Sequence, residues 1–338
     1  MAIVTASQPI DMLAPEVWWG DVTLATPTQI VIDNGQGRVA TYTGTFQYTS
    51  NSVAGGILTG FSQASSSGID FTVTDFSISA SLAYAIIQSG DAQAAWRLVL
   101  AGDDIINGSS GSDILAGFGG NDTFVTGGGL DIVFGGTGDD TLLYNADNDT
   151  FFGESGFDSV VIDAARTDFE VNRLDMASHL VQHINATDDV AVNTVERLIF
   201  QDNEIIALDV DAGGHAGMAF RMYEAALDRD PDPDGLAGWI NYLDNGGTAL
   251  DMAAMFLGSV EFSTRYGALD NTAFVQSLYN NVLDRDGEPA GVQGWVNGLN
   301  HGLTRADILL GFSESQENIQ NLDPLVTNGI VYTEWWLS

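Results

Sequence analysis

From residue 102 the chain repeats itself every nine residues, and that single rule leaves few folds open. Asp104, Asp113, Asp122, Asp131, Asp140, Asp149 and Asp158 follow one another at intervals of nine without a break. Two residues after each stands an apolar side chain: Ile106, Leu115, Phe124, Val133, Leu142, Phe151 and Val160. Two residues before each stand Gly102, Gly111, Gly120, Gly129 and Gly138, then Asp147 as the exception, then Gly156. A fixed short period marks a solenoid, in which one unit cannot bury its apolar face and stacking supplies the core.

The unit is legible from its residue types. Glycine supplies the positive φ and close approach of a tight turn, the apolar residue sits inward on a short strand, and Asp projects from the turn. Two units make an 18-residue coil of turn, strand, turn, strand. Stacking such coils sets Asp104, Asp122, Asp140 and Asp158 along one edge and Asp113, Asp131 and Asp149 along the other. Stacked carboxylates repel strongly unless a cation lies between them, and a hard divalent ion also collects the carbonyl oxygens that glycine turns expose. Composition points the same way: of 46 acidic residues 35 are Asp, which prefers turns and hard-cation sites over long helices. Calcium is the expected stabiliser. The alternative is a metal-free solenoid whose Asp residues only cap turns.

On these residues the run resembles the GGxGxDxUx nonapeptide of RTX (repeats-in-toxin) proteins. Gly135-Gly-Thr-Gly-Asp-Asp-Thr-Leu-Leu143 agrees at every specified position. The resemblance implies a calcium-bound parallel β-roll, with Gly102, Asp104, Gly111, Asp113, Gly120, Asp122, Gly129, Asp131, Gly138, Asp140, Asp149, Gly156 and Asp158 at the metal sites. Five stacked Asp pairs set an upper expectation near five ions, which would bring the formal charge from -36 to -26. The unit 144–152 lacks all its glycines, and Thr126 and Glu154 replace Gly elsewhere, so sites touching these turns are expected to be weaker or empty. The resemblance also implies export by the type I secretion machinery, with an uncleaved C-terminal signal and folding triggered by external calcium. Extracellular modules bind calcium with Kd of about 10⁻⁴ to 10⁻³ M, so such a chain stays open inside the cell and closes outside. The acidic and apolar stretch Val331–Ser338 is compatible with that signal.

Composition excludes several classes. All ten basic residues are Arg, and a formal net charge of -36 offers no positive footprint for nucleic acid. With no cysteine there are no disulfides, zinc-thiolate sites or thiol catalysis. The first ten residues lack the charged and apolar regions of a secretory signal peptide, and no stretch reaches the 18 or so apolar residues of a membrane span.

The expected architecture is therefore a multidomain β + α chain: a β-rich N-terminal cap, a calcium-bound parallel β-roll and a helical C-terminal domain. Residues 1–100 form the β-rich domain, with period-two segments at 38–48 and 69–78 and a helix over 81–100 that covers the open end of the first coil. The roll occupies 101–163, and 164–212 closes its far end. Residues 213–338 are helical and carry a second repeat displaced by 56: Tyr223 and Tyr279, Leu227-Asp-Arg-Asp230 and Leu283-Asp-Arg-Asp286, Gly238-Trp239 and Gly294-Trp295. This part resembles a helical domain of unassigned function in secreted RTX and surface-layer proteins, and its Arg-Asp-Pro-Asp motif is also similar to phycobilisome linker domains. The implied role is adhesion or assembly. Asp230–Gly235 imitates the first half of an EF-hand loop, but position 12 falls on Asn241, so a helix-capping turn with Trp239 and Trp295 in the core is the favoured reading.

No catalytic constellation emerges. His179-Leu-Val-Gln-His183 has the HExxH spacing without the acid, in a strand region where the pair reads as fortuitous, and His215 and His301 stand isolated. Gly60-Phe-Ser-Gln-Ala64 is no nucleophile elbow, and the chain has no lysine for a phosphate loop. The expectation is a secreted structural or adhesive protein, not an enzyme, that associates with itself or with surface polysaccharide. A carbohydrate-binding module, with Trp18-Trp19 and Trp335-Trp336 stacking on sugars, is the alternative; a small hydrolase using an acid pair ranks below it.

Overall fold

The computed structural model describes residues 1–50, 52–145 and 147–333. It divides into two compact units, Met1–Gln201 and Asp202–Ser338. In the first unit, strand β1 (Ile3–Ala6) precedes an antiparallel series, β2 (Asp21–Ala25), β3 (Gln29–Asp33), β4 (Val39–Thr49), β5 (Ser52–Ser65), β6 (Gly68–Thr74) and β7 (Ile78–Ser79). Helices α1 (Ala80–Ser89) and α2 (Ala92–Val99) follow, split by Gly90 in the left-handed region. The repeat then lays down β8 (Ile105–Asn107), β9 (Ile114–Ala116), β10 (Thr123–Val125), β11 (Ile132–Thr137), β12 (Thr141–Tyr144), β13 (Asp149–Ser155) and β14 (Ser159–Ile162). After it come β15 (Phe169–Arg173), β16 (Ser178–His183), β17 (Asp189–Asn193) and β18 (Arg197–Phe200).

The roll has the expected 18-residue coil. Alternate strands form two parallel stacks, one running β1-β8-β10-β12-β14-β18 and the other β9-β11-β13-β17. Phe124 pairs with Ile106 and Leu142, and Val133 pairs with Leu115 and Phe151, so residues 18 apart lie side by side. The seven apolar residues of the register are all completely buried between the stacks. At roughly 1.5–3 kcal/mol for each such side chain, this column is the main apolar term holding the roll together.

Both ends of the roll differ from expectation. Helix 81–100 does not cover the first coil. Instead β1 pairs in parallel with β8 and antiparallel with β6, so residues 2–12 form an additional irregular coil and join the roll to the sheet β2–β6. The reason is hydrogen bonding: a solenoid end exposes strand edge, and a strand satisfies those backbone groups where a helix cannot. At the far end, β17 and β18 add another coil by pairing with β13 and β14, after the hairpin β15–β16 has been inserted as an excursion at the β17 edge. The roll therefore reaches Phe200, beyond residue 163.

In the second unit, β19 (Glu204–Ala207) pairs antiparallel with β20 (Ile330–Thr333), so Val331–Thr333 is strand rather than free tail; 334–338, including Trp335-Trp336, lie outside the described residues. Between these strands lie α3 (His215–Leu227), α4 (Pro233–Asp244), α5 (Ala249–Leu257), α6 (Val260–Tyr266), α7 (Asn271–Leu283), α8 (Pro289–Asn300), α9 (Arg305–Ser313) and α10 (Gln316–Val326). The 56-residue repeat is structural. Arg229 lies over the Tyr223 ring and pairs with Glu261, and Arg285 lies over Tyr279 and pairs with Glu317. Trp239 packs on Phe256 as Trp295 packs on Phe312, and Thr248 and Thr304 cap α5 and α9. The acidic turn before α4 is a helix cap: the Asp232 carboxylate accepts the Gly235 N–H and is also bonded by Tyr223 and Arg229.

Candidate metal centre

Four turns of the roll are set at the register glycine by backbone conformations that favour it. Gly120, Gly129, Gly138 and Gly156 all have positive φ and stack against the turn 18 residues earlier. Gly102 and Gly111, in the first turns, lie outside the left-handed region and are glycines of the register without its geometry. The turn position two residues further back also needs positive φ, and there Phe118 and Glu154 adopt it at 67° and 71° beside Gly136 at 113°. Glu154 thus departs from the pattern in sequence while keeping the turn, its N–H donating to Thr194.

The turns aim the carboxylates inward. Asp104, Asp113, Asp122, Asp131, Asp140, Asp149 and Asp158 are all buried. One oxygen of each is used structurally: Oδ1 of Asp122, Asp140 and Asp158 accepts the N–H of the Asp 18 residues earlier at 2.8 Å. Asp131 and Asp149 do the same on the opposite edge, at 2.7 and 3.0 Å. The N–H of Ala2 and of Ile10 donates to Asp104 and Asp113, and Asp158 in turn donates to Glu196 at 2.7 Å. Glu196 thereby ends the ladder in the place of a further Asp. Its signal was present in Glu196-Arg-Leu198, an acid two residues before a buried apolar side chain, but off the nine-residue count.

The second oxygen is the informative one. Oδ2 of Asp104, Asp122, Asp131, Asp140 and Asp158 is buried with no hydrogen-bond partner. A buried carboxylate oxygen left unpaired is costly, and a bound cation is what relieves it. On the edge of Asp122, Asp140 and Asp158 a fixed environment surrounds it. A Cβ added at Gly117 would overlap Asp122 Oδ2 and lie 2.5 Å from the Gly135 carbonyl oxygen. One at Gly135 would overlap Asp140 Oδ2 and lie 2.7 Å from the Gly153 carbonyl. Gly153 stands likewise against Asp158 Oδ2 and the Thr194 carbonyl. Carboxylate and carbonyl oxygens thus converge in spaces that only glycine leaves open, an all-oxygen donor set suited to calcium.

The two edges are unequal. On the other edge Ser109 donates its N–H and hydroxyl to Asp113 Oδ2, and the Thr126 hydroxyl donates to Asp149 Oδ2 at 2.8 Å. Tyr144 stands where a third turn would have glycine. Only Asp131 keeps a bare Oδ2 there. The fully glycine-lined oxygen sets therefore lie along Asp122, Asp140 and Asp158, fewer than the five stacked pairs imply.

Without a cation these groups resist ionisation. Burial, more than the adjacent carboxylates, pushes Asp122 up to about 8 and Asp158 to about 7. Asp131 and Asp140 rise to about 6 for the same leading reason, and Asp104 and Asp149 are raised as well. Backbone N–H donation lowers each and does not offset the burial.

Other groups singled out by sequence behave differently. His179 is buried on β16 and His183 lies edge-on to Phe169, both within the hairpin fold. His215 is not isolated: its Nδ1 lies 2.9 Å from Asp244 Oδ1, and with Asp209 these form the one His and acid trio close enough to share an ion among the described residues. Asp209 there caps α3 by accepting the His215 N–H. Among the described residues no helix is long and apolar enough to cross a membrane.

Comparison with known families agrees with the geometry. Residues 100–133 and 125–160 match the RTX calcium-binding nonapeptide repeat (4 copies), and residues 253–322 match the Domain of unknown function (DUF4214), from within α5 to within α10. No curated protein matches the chain. The chain thus carries RTX calcium-binding nonapeptide repeats along its stacked Asp column and, C-terminal to them, a DUF4214 match.

Proposed function

We propose that the protein is secreted, that external calcium orders its roll, and that it then acts by association as a structural or adhesive component of a cell surface or extracellular matrix. The observation that supports this most is the column of buried, unpartnered Asp oxygens. At the trace free calcium of a cytosol the column opposes folding, whereas about 10⁻³ M calcium outside the cell suffices for extracellular sites of this kind. Export in the open state through the type I secretion machinery fits that order of events.

Association has a physical handle in the first unit. Among the described residues strand β2 pairs only with β3, and its Val22 and Leu24 are exposed, so an edge with apolar side chains is available to a second chain. Sizing and electron microscopy of the full chain, with calcium and with chelator, test the reading. Calcium-dependent oligomers or filaments are expected; a monodisperse monomer under both conditions refutes self-assembly. Sugar binding is the second reading, favoured by Trp19, a residue 61% exposed beside Trp18. Trp18 itself is anchored by donation from Nε1 to Gln63. Retention of the monomer on acidic polysaccharide would select this reading. Catalysis has no place in the proposal: turnover abolished by substituting an acid outside the nine-residue register would overturn it.

A further inference from the structure

The first unit contains a second recognition feature, unrelated to the acidic ladder. Between the sheet β3–β6, the helices α1 and α2 and the segment 8–20 lies a cavity of about 710 Å³. That is the size of small-molecule sites in general. Its wall is a continuous aromatic run. Tyr42 and Phe61 ring centroids lie 4.9 Å apart, Phe61 and Phe71 5.5 Å, and Phe71 and Trp96 5.5 Å. Tyr42 and Phe61 face one another across β4 and β5, and Trp96 on α2 completes the run.

The polar lining is mixed, with carboxylates the commonest charged groups. Asp70 lines the cavity and accepts from Ser65 at 2.6 Å; Gln63 accepts from Trp18 Nε1 and thereby ties the segment 8–20 to the sheet. Among the described residues the Tyr42 hydroxyl has no hydrogen-bond partner, and burial pushes it up to about 12, so it stands neutral in an apolar wall. Asp11, Glu16 and Asp91 also line the space, and the single cation there, Arg38, is paired with Glu16 at 2.5 Å. An anionic head would meet four carboxylates and a lone arginine already paired with one of them, whereas a donor head finds acceptors.

We infer that this cavity binds an amphiphile with an apolar body and a hydrogen-bond-donating, non-anionic head, either a hydroxyl or an ammonium group. The apolar body lies against the aromatic wall, and the head is held by Asp70 and the Tyr42 hydroxyl. Self-assembly requires neither the cavity nor its ligand, so this inference stands or falls apart from it; Trp18 and Trp19 also line the cavity, so acidic polysaccharide is run beside the amphiphiles as a competitor to separate the sugar reading.

The test uses the calcium-loaded full chain and the uncharged fluorescent probe N-phenyl-1-naphthylamine. Saturable binding at one site per chain is expected, with displacement by 1-decanol or decylamine at least tenfold more effective than by decanoate. Whichever of the first two competes better identifies the head. Ala95→Trp, which fills the cavity from α2, should abolish probe binding while leaving the calcium-dependent circular dichroism unchanged. If that variant fails to fold, Tyr42→Phe keeps the wall and removes one hydroxyl. It should weaken 1-decanol or decylamine roughly two- to tenfold, the effect of one neutral hydrogen bond. Absence of saturable binding, equal competition by decanoate, or binding unaffected by both substitutions overturns the inference.

Discussion

Replacing Asp122 by Asn should reverse sign with calcium. Asp122 lies in the middle of the better-formed edge, with Asp104 and Asp140 stacked on either side, and its Oδ1 accepts the Asp104 N–H, a bond the amide oxygen of Asn can keep. In chelator at pH 7, the folded wild-type chain must hold a proton on a group pushed up to about 8, while the unfolded group sits near about 3.9. At pH 7, about three units above the unfolded value, keeping the folded group neutral costs about 4 kcal/mol at 1.36 kcal/mol per pH unit, and Asn removes the cost. In calcium the balance changes. Asp122 is shared between the sites on either side of it, and an ion present at 100 times its Kd contributes about 2.7 kcal/mol, so loss of two ions costs about 5 kcal/mol. The variant should therefore be more stable than wild type in chelator by about 4 kcal/mol and slightly less stable in calcium. Urea unfolding followed by circular dichroism, with calcium and with chelator, reads both numbers. Asp139→Asn is the control, because Asp139 is exposed and the stacked position 18 residues earlier is already Asn121. An Asp122→Asn chain that gains as much from calcium as wild type, or is no better ordered in chelator, would refute the shared-ligand geometry.

The remaining predictions concern acidity, turn geometry and the helical unit. In chelator the roll should be best ordered near pH 4 and loosen progressively as pH rises to about 8. The raised folded-state values mean that the folded chain holds protons the unfolded chain has released; that stabilisation is complete below the ordinary carboxylate range and is lost as pH rises through the values of Asp131, Asp140, Asp158 and Asp122. Calcium affinity should fall as pH drops through the same window, because protons and metal compete for one set of oxygens. Circular dichroism across pH with and without calcium checks both; a chelated roll that strengthens from pH 5 to 8 contradicts them. Gly135→Ala should lower calcium stoichiometry by at least one ion in a calorimetric titration, since its Cβ would overlap Asp140 Oδ2, whereas at Gly128 the nearest atom is 3.7 Å away and Ala should titrate as wild type. In the second unit, Arg229→Ala and Arg285→Ala each remove two partly exposed ion pairs and a contact over a tyrosine ring. Each should lower stability modestly, less at high salt, and by similar amounts because the two sites are copies; thermal melts at two salt concentrations decide this.

The roll was legible because its rule is local and periodic. Each strand meets the strand one coil away, so a nine-residue count along the chain already specifies the pairing of Phe124 with Ile106 and Leu142 and the stacking of Asp122 between Asp104 and Asp140. The 56-residue repeat was visible for the same reason, and tertiary packing shows what it preserves: an arginine over a tyrosine and a tryptophan on a phenylalanine, twice. Contacts without a period were not visible. Nothing in Ala2 or Ile10 announces that its N–H closes a ladder about 100 residues away, and Glu196 arrives after a hairpin that breaks the count. Pairing of His215 with Asp244 depends on the fold of α3 against α4, and the aromatic cavity on how α1 and α2 lie over the sheet. The inequality of the two edges is intermediate. Ser109 and Thr126 could be read as departures from glycine, but only the folded turns show their hydroxyls bonded to the carboxylate oxygens a metal would need. Sequence by itself determined the coil, its inward column and the oxygen chemistry of its edges, because stacking turns a linear period into spatial neighbours. Tertiary structure decided where the roll begins and ends and which edge is free to take calcium, because those depend on long-range contacts that no repeat encodes.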